Sequence, residues 1–290
     1  MKMKIPAYAK INLFLDVMEK REDGFHNIRS IMHRITLCDY LSCEKAEGEG
    51  NLINVTCAKA EIPCGKDNLV WCAAKLFFDT FGIADYKVDF VIEKHIPMAA
   101  GLAGGSADAA AALLLLNELY DVHASTEKLC EIGARLGSDI PFCIDGVTSI
   151  TTGRGEIMEK IDCSPDFIFV VSKGGEGIST PKAYRQIDEM YGDTLKDNFG
   201  DLDGALEAVK EGDSAKLAKY AYNTFESVVL PIHAEASAAK KIMLENGAVF
   251  AMLSGSGPSV FGVFKTMTEA EITSAILSDA GYDSHVCRSL

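Results

Sequence analysis

Residues 97–116, PMAAGLAGGSADAAAALLLL, give the chain little but backbone to work with: every residue except Met98 and Asp108 is Gly, Ala, Leu, Pro or Ser. The run continues a strand-like segment, VDFVIEKHIP at 88–97, and leads into a helix expected from about Ser106 to Tyr120. Gly101, Gly104 and Gly105 permit close backbone approach and positive φ, whereas Ala103 is expected to keep φ negative. The first N–H groups of a helix have no internal partner, and its dipole favours an anion there. Bare amides at a helix head suit phosphate, although a tight packing loop before a buried helix explains the same glycines. The loop is neither Gly-x-Gly-x-x-Gly nor Gly-x-x-x-x-Gly-Lys-Ser/Thr, and Gly255-x-Gly257 meets Val260 where a third glycine belongs. Dinucleotide and Walker-type sites are both disfavoured.

The remaining pattern is mixed α and β. Apolar residues alternate from Ile5 through Ala7, Ala9, Ile11, Leu13 and Leu15 to Val17, which predicts a strand with one buried face. Tyr8, Lys10, Asn12 and Asp16 then share the opposite face. Further strands are expected at 30–37, 51–57, 86–94, 167–172, on both sides of the 254–259 loop, and at the C-terminus. An amphipathic helix is expected over 67–82, capped by Asp67 or Asn68 and ended by Gly82. Helices also read at 126–137, between about 180 and 246, and from Thr268 onward. Strands and helices do not alternate strictly, which argues for an α+β class with two domains, 1–160 and 161–290.

Composition narrows the function. A net charge of −14 and no basic stripe argue against a nucleic-acid partner. An anionic ligand must therefore be held by a few placed cations and amides against the global field. The longest unbroken apolar run, AAAALLLL at 109–116, falls far short of a membrane helix. Nine cysteines without a CxxC pair, mostly among apolar neighbours, read as reduced thiols and hence a cytoplasmic protein. His33 with Cys38 and Cys43 fits no zinc spacing. No stripe chooses between monomer and homodimer.

Three blocks, in order, resemble the GHMP kinase superfamily of small-molecule kinases: AKINLFLDV, the Pro97–Ala107 loop, and LSGSGPSVFGVF at 253–264. A finer set, REDGFHNI, KDNLV, GLAGGSADAA, GSDIPFC and TTGRGE, is similar to the branch acting on 4-diphosphocytidyl-2-C-methyl-D-erythritol. Phe25, Ala103, Ala107 and Val147 stand where Tyr, Gly, Ser and Gly are frequent. The resemblance implies a ribosomal S5 domain 2-like N-terminal ATP-binding and catalytic domain and a ferredoxin-like C-terminal domain, with the active site in the cleft between them. It implies phosphorylation of the substrate's 2-hydroxyl by ATP, in non-mevalonate isoprenoid precursor synthesis. ATP would be held by Asn68, Lys94, Pro97, Gly101, Leu102, Ala103, Gly104, Gly105 and Ser106, with His95 nearby. Asp139 would be the general base and Lys10 its neighbour. Asn12, Phe25, His26, Thr180 and Tyr184 would hold the substrate.

Taken without the resemblance, several of these residues have plainer explanations. Asp139 suits a turn before Pro141, Lys10 a solvated strand face, His26 a turn, Tyr184 a core, and Asn68 a helix cap. Asp108 suits the dipole of the helix it opens. Mg²⁺ is expected with ATP; its protein ligand is unassigned, the Ser106 hydroxyl being one candidate. Kinases of homoserine, mevalonate or a sugar, and a non-catalytic nucleotide-binding regulator, stay open as alternatives. DGFH with Tyr184 argues for a cytidine site, and Lys10 with Asp139 argues for catalysis.

Overall fold

The computed structural model describes residues 2–48, 50–197 and 200–290. In chain order it builds β1 (Lys2–Lys20), β2 (His26–Lys45), β3 (Leu52–Cys57), α1 (Leu69–Phe81), β4 (Lys87–Glu93), α2 (Gly104–Leu119), α3 (Thr126–Ala134), α4 (Ile140–Asp145), β5 (Ser149–Thr152) and β6 (Ile157–Lys160). There follow β7 (Ile168–Lys173), α5 (Thr180–Tyr191), α6 (Leu202–Glu211), α7 (Ser214–Tyr220), α8 (Glu226–Val229), α9 (Ala234–Glu245), β8 (Phe250–Leu253), β9 (Val260–Phe264), α10 (Met267–Asp279) and β10 (Asp283–Arg288). Two compact units emerge. One holds the chain up to Ala9, Cys38–Ile96 and Ala103–Gly146; the other holds Lys10–Leu37, Pro97–Leu102 and Val147–Leu290. The units interleave along the chain, and the Pro97–Ser106 loop passes from one to the other after Leu102.

In the first unit β4 pairs parallel with β3, Leu52 opposite Lys87, and antiparallel with β2, Tyr40 opposite Glu93. Helices α1 to α4 bury their apolar sides in one cluster with the sheet, centred on Phe77, Phe78, Phe90 and Leu113. Asn68, rather than Asp67, caps α1, its side chain accepting from Val70 N. Gly82 ends the helix in the left-handed region that glycine enters without a Cβ penalty. Helix α2 is buried on nearly every side, and alanines at 109–112 are what let neighbouring backbones come that close.

The second unit contains a four-stranded antiparallel sheet in the order β10-β7-β9-β8, covered by α9 and α10 in the ferredoxin-like manner. It also contains the β5–β6 hairpin, which meets β2 at Ser30–Met32. Capping is explicit in the sequence here: Thr266 and Glu269 form a reciprocal capping box at the head of α10.

Three expectations are corrected. The alternating strand is buried on both faces from Ala9 to Val17, so Lys10, Asn12 and Asp16 are interior side chains, not a solvated face. Lys10 donates to Asn12, and Asn12 and Asp16 are hydrogen-bonded to distant segments, which is what makes their burial tolerable. Helix α2 begins at Gly104, two residues before Ser106, because both glycines take helical dihedrals in its first turn. Ala103 carries φ +57, not a negative value. The chain has to reverse there, between Leu102, whose carbonyl accepts from Lys10 N, and the first helical residue. A left-handed alanine costs about 1 kcal/mol, which the surrounding hydrogen bonds offset.

Candidate active site

In the first unit the candidate residues gather at the head of α2. Its Ncap, Ala103, carries only a methyl group, which cannot accept from the first-turn amides, and no side chain caps the helix. Gly105 is exposed and Gly104 and Ser106 are half-buried, so the first-turn amides are not walled into the core. Gly104 is there for space: a Cβ on it would lie 3.0 Å from Ile96 Cγ2 and 3.0 Å from Lys94 Nζ.

Lys94 lies beneath this turn with its side chain 4% exposed. Its ammonium donates to Asp39 Oδ2 and to Asp108 Oδ2, the latter at 2.6 Å. Asp39 Oδ1 accepts from the amides of His95 and Ile96, fixing the segment that enters the loop. Burial pushes the Asp108 carboxyl well above the usual range, against the pull of Lys94. Burial works to lower Lys94, but the two carboxylates outweigh it and hold the ammonium protonated. Asp108 therefore serves Lys94 and not the helix dipole.

Asn68 uses both ends of its amide on the backbone: Oδ1 caps α1 and Nδ2 donates to Pro63 O at 2.7 Å. Asp139 stands at the Ncap of α4, half-buried, with Pro141 in the first turn as expected. Its carboxylate makes no capping hydrogen bond to that helix. In the same unit Ser106 Oγ lies 3.9 Å from where a Cβ on Gly137 would be, which brings the loop serine up to the Gly137–Pro141 turn.

The second unit assembles the rest. Lys10 Nζ donates to Asn12 Oδ1 at 2.8 Å, and the same oxygen accepts from Gly255 N at 3.0 Å. Asn12 Nδ2 donates to Ser30 Oγ, which donates onward to Phe14 O. The loops 97–102 and 253–257 are packed backbone to backbone. A Cβ on Gly101, at φ +75, would fall 2.0 Å from Ser254 O, while Ser254 Oγ donates to Gly101 O. Pro97 and Leu102 are buried beside that contact. Thr180, opening α5, shares a hydrogen bond with Ser256 Oγ at 2.8 Å.

The aromatic candidates form a second cluster in this unit. His26 is buried and stacks on Tyr184 with centroids 4.9 Å apart and planes 14° from parallel. Its Nε2 contacts Asp188 Oδ1 at 2.6 Å, and Lys20 holds the other oxygen of that carboxylate. Burial works to raise the Asp188 pKa, yet the hydrogen bonds from Lys20 and His26 bring it below the ordinary value. Tyr184 meets Phe225 edge-on. Phe25 is 55% exposed, with the Arg154 guanidinium 5.0 Å from its ring centroid.

Each unit thus brings its own candidates together: Asn68, Lys94, Gly104, Gly105, Ser106 and Asp139 in one, and Lys10, Asn12, Phe25, His26, Pro97, Gly101, Leu102, Thr180 and Tyr184 in the other. Sequence reasoning missed the groups that hold them. Asp39, Asp188, Ser30 and Asn223 are isolated polar residues whose partners lie tens to hundreds of positions away, and no local pattern marks them.

Residues 68–147 match the model of the GHMP kinases N-terminal domain, and residues 205–283 that of the GHMP kinases C-terminal domain. A 4-diphosphocytidyl-2-C-methyl-D-erythritol kinase of Clostridium novyi (strain NT) is 38% identical over 98% of this chain and 99% of its own. One from Clostridium perfringens (strain ATCC 13124) is 40% identical over 93% and 91%. A crystal structure of 4-(cytidine 5'-diphospho)-2C-methyl-D-erythritol kinase superposes with a TM-score of 0.82 at 29% identity, covering 99% of both chains. The chain belongs to the GHMP kinase superfamily, and within it to the family of the 4-diphosphocytidyl-2-C-methyl-D-erythritol kinases.

Proposed function

We propose that this chain is a cytoplasmic kinase that transfers the γ-phosphoryl group of ATP to the 2-hydroxyl of 4-diphosphocytidyl-2-C-methyl-D-erythritol, giving the 2-phosphate and ADP, in non-mevalonate isoprenoid precursor synthesis. The observation that carries the reading is the uncapped, solvent-reachable head of α2, in a chain that follows kinases of this name along nearly its whole length. Three amides at Gly104, Gly105 and Ser106 and the positive end of a sixteen-residue helix supply what a triphosphate needs. The alcohol's proton passes to Asp139 as its oxygen attacks the γ-phosphorus and the bond to the β-phosphate oxygen breaks. Lys10 stabilises the negative charge that develops. Phe25 and Tyr184 offer aromatic faces to the cytosine, and His26, with Asp188 on its Nε2, offers its ring edge.

Mg²⁺ would enter with the nucleotide as part of the substrate and would offset the charge of its phosphates. It needs no cage of its own, and among the described residues no group of three or more His, Cys, Asp or Glu forms one. The test is ADP release by the purified protein against cytidyl-methylerythritol, homoserine, mevalonate and galactose. Turnover with the cytidyl alcohol alone is expected. Faster turnover of another alcohol overturns the substrate, and no ADP from any of them overturns the activity.

A further inference from the structure

The glycine loop at 253–257 is held from two sides by two buried asparagines, and only one of them belongs to a recognised motif. Asn12 Oδ1 accepts the Gly255 N–H. Asn223 Nδ2 donates to Gly255 O and to Leu253 O, both at 2.9 Å, so each of its two hydrogens has its own carbonyl. Asn223 Oδ1 accepts from Phe225 N at 3.0 Å, which fixes the orientation of the amide. Asn223 is 4% exposed and bridges to Leu15 on β1, in the strand that carries Lys10 and Asn12. One residue, Gly255, therefore links the two amides through its N–H and its C=O, and Asn12 Oδ1 passes the link on to Lys10 Nζ. Gly255 itself has no slack, because it sits at φ +56 with Gly101 O 3.3 Å from the place of a Cβ.

We propose that Asn223 is a positioning residue for Lys10, acting through Gly255 and Asn12. This rests on the kinase reading, in which Lys10 serves the transition state. With its two donors gone, the Leu253 and Gly255 carbonyls lose their partner, the Gly255 amide drifts from Asn12, and Asn12 no longer fixes the ammonium. The hold is neutral throughout, so it sets the place of Lys10 without altering its charge.

Two variants test it. Asn223→Asp keeps the shape and the acceptor for Phe225 N but loses both donors; Asn223→Ser keeps a short acceptor that cannot reach the carbonyls. In each, kcat is expected to fall about 10- to 100-fold, with KM for ATP and for the alcohol within about threefold of the parent. Independently of turnover, acetic anhydride labelling read by mass spectrometry is expected to modify Lys10 about fivefold faster in the variants, with Lys94 unchanged. Labelling of Lys10 at the parental rate in both folded variants overturns the relay, as does a rise in KM with kcat intact. Failure of both variants to fold, read by thermal unfolding, would assign Asn223 to the fold and also overturn the proposal. A parent protein without kinase activity removes the functional reading but leaves the labelling result to decide the relay.

Discussion

Each unit buries a lysine among its candidate residues, and the neighbours that hold the two differ. Lys94 is clamped between two buried carboxylates, Asp39 and Asp108, so its charge is compensated where it stands. Lys10 donates to the oxygen of Asn12, which also accepts from the Gly255 amide, so a chain of neutral groups ties its ammonium to the 253–257 loop. The first arrangement makes a floor for the Gly104 turn. The second couples the strand that carries Lys10 to a loop far along the chain.

The largest effect that can break this contrast is on stability. Lys94→Met leaves two carboxylates unpaired in the interior, for an expected loss of about 3–5 kcal/mol in urea unfolding. A loss below about 1 kcal/mol would show that the floor is not electrostatic. Lys10→Met is the counterpart, expected to lower turnover about 10²- to 10³-fold, or about 3–4 kcal/mol of transition-state stabilisation. Its unfolding midpoint should move far less than that of Lys94→Met; an equal shift would put both lysines in one class.

A third test concerns neutral holds under acid. His33 is buried between the Thr148 and Ser289 hydroxyls, and burial pushes its pKa down to about 4. The unfolded chain binds this proton first, so stability is untouched above about pH 7 and declines from about pH 6.5 to pH 4 by about 3 kcal/mol. His33→Gln should flatten that limb, and an unchanged limb would assign it to other groups. The smallest effect sharpens the comparison from the other side. Asn68→Ala removes a neutral amide that only caps α1, with an expected cost of about 1 kcal/mol by thermal unfolding.

Much of this was legible in the residues themselves. Periodicity located β1, α1, β4 and the β8–β9 pair, two of the three motif blocks placed Lys10 and the Gly101–Ser106 loop on the elements they occupy, and GSDIPFC did so for Asp139. What stayed hidden has a common cause. The interior position of Lys10, Asn12 and Asp16 depends on Ser30, Thr224 and Gly255, which alternation along one strand cannot reveal. Asp39 takes its meaning from the Lys94 ammonium and from amides 56 and 57 residues onward. Ala103 was misjudged because intrinsic preference argues against a left-handed alanine, and two neighbouring constraints override it. The early start of α2 was missed because paired glycines favour loops until Ile96 and Lys94 press against them.

The interlock at Gly101 has a further consequence. With no room for even one methyl beside Ser254 O, the segments at 97–102 and 253–257 are geometrically a single body joined across more than 150 positions of chain. A substitution tolerated in either must leave the other where it is, so variation in the two should be scarce and matched. Anyone reshaping one of these segments is, by mechanical necessity, reshaping both.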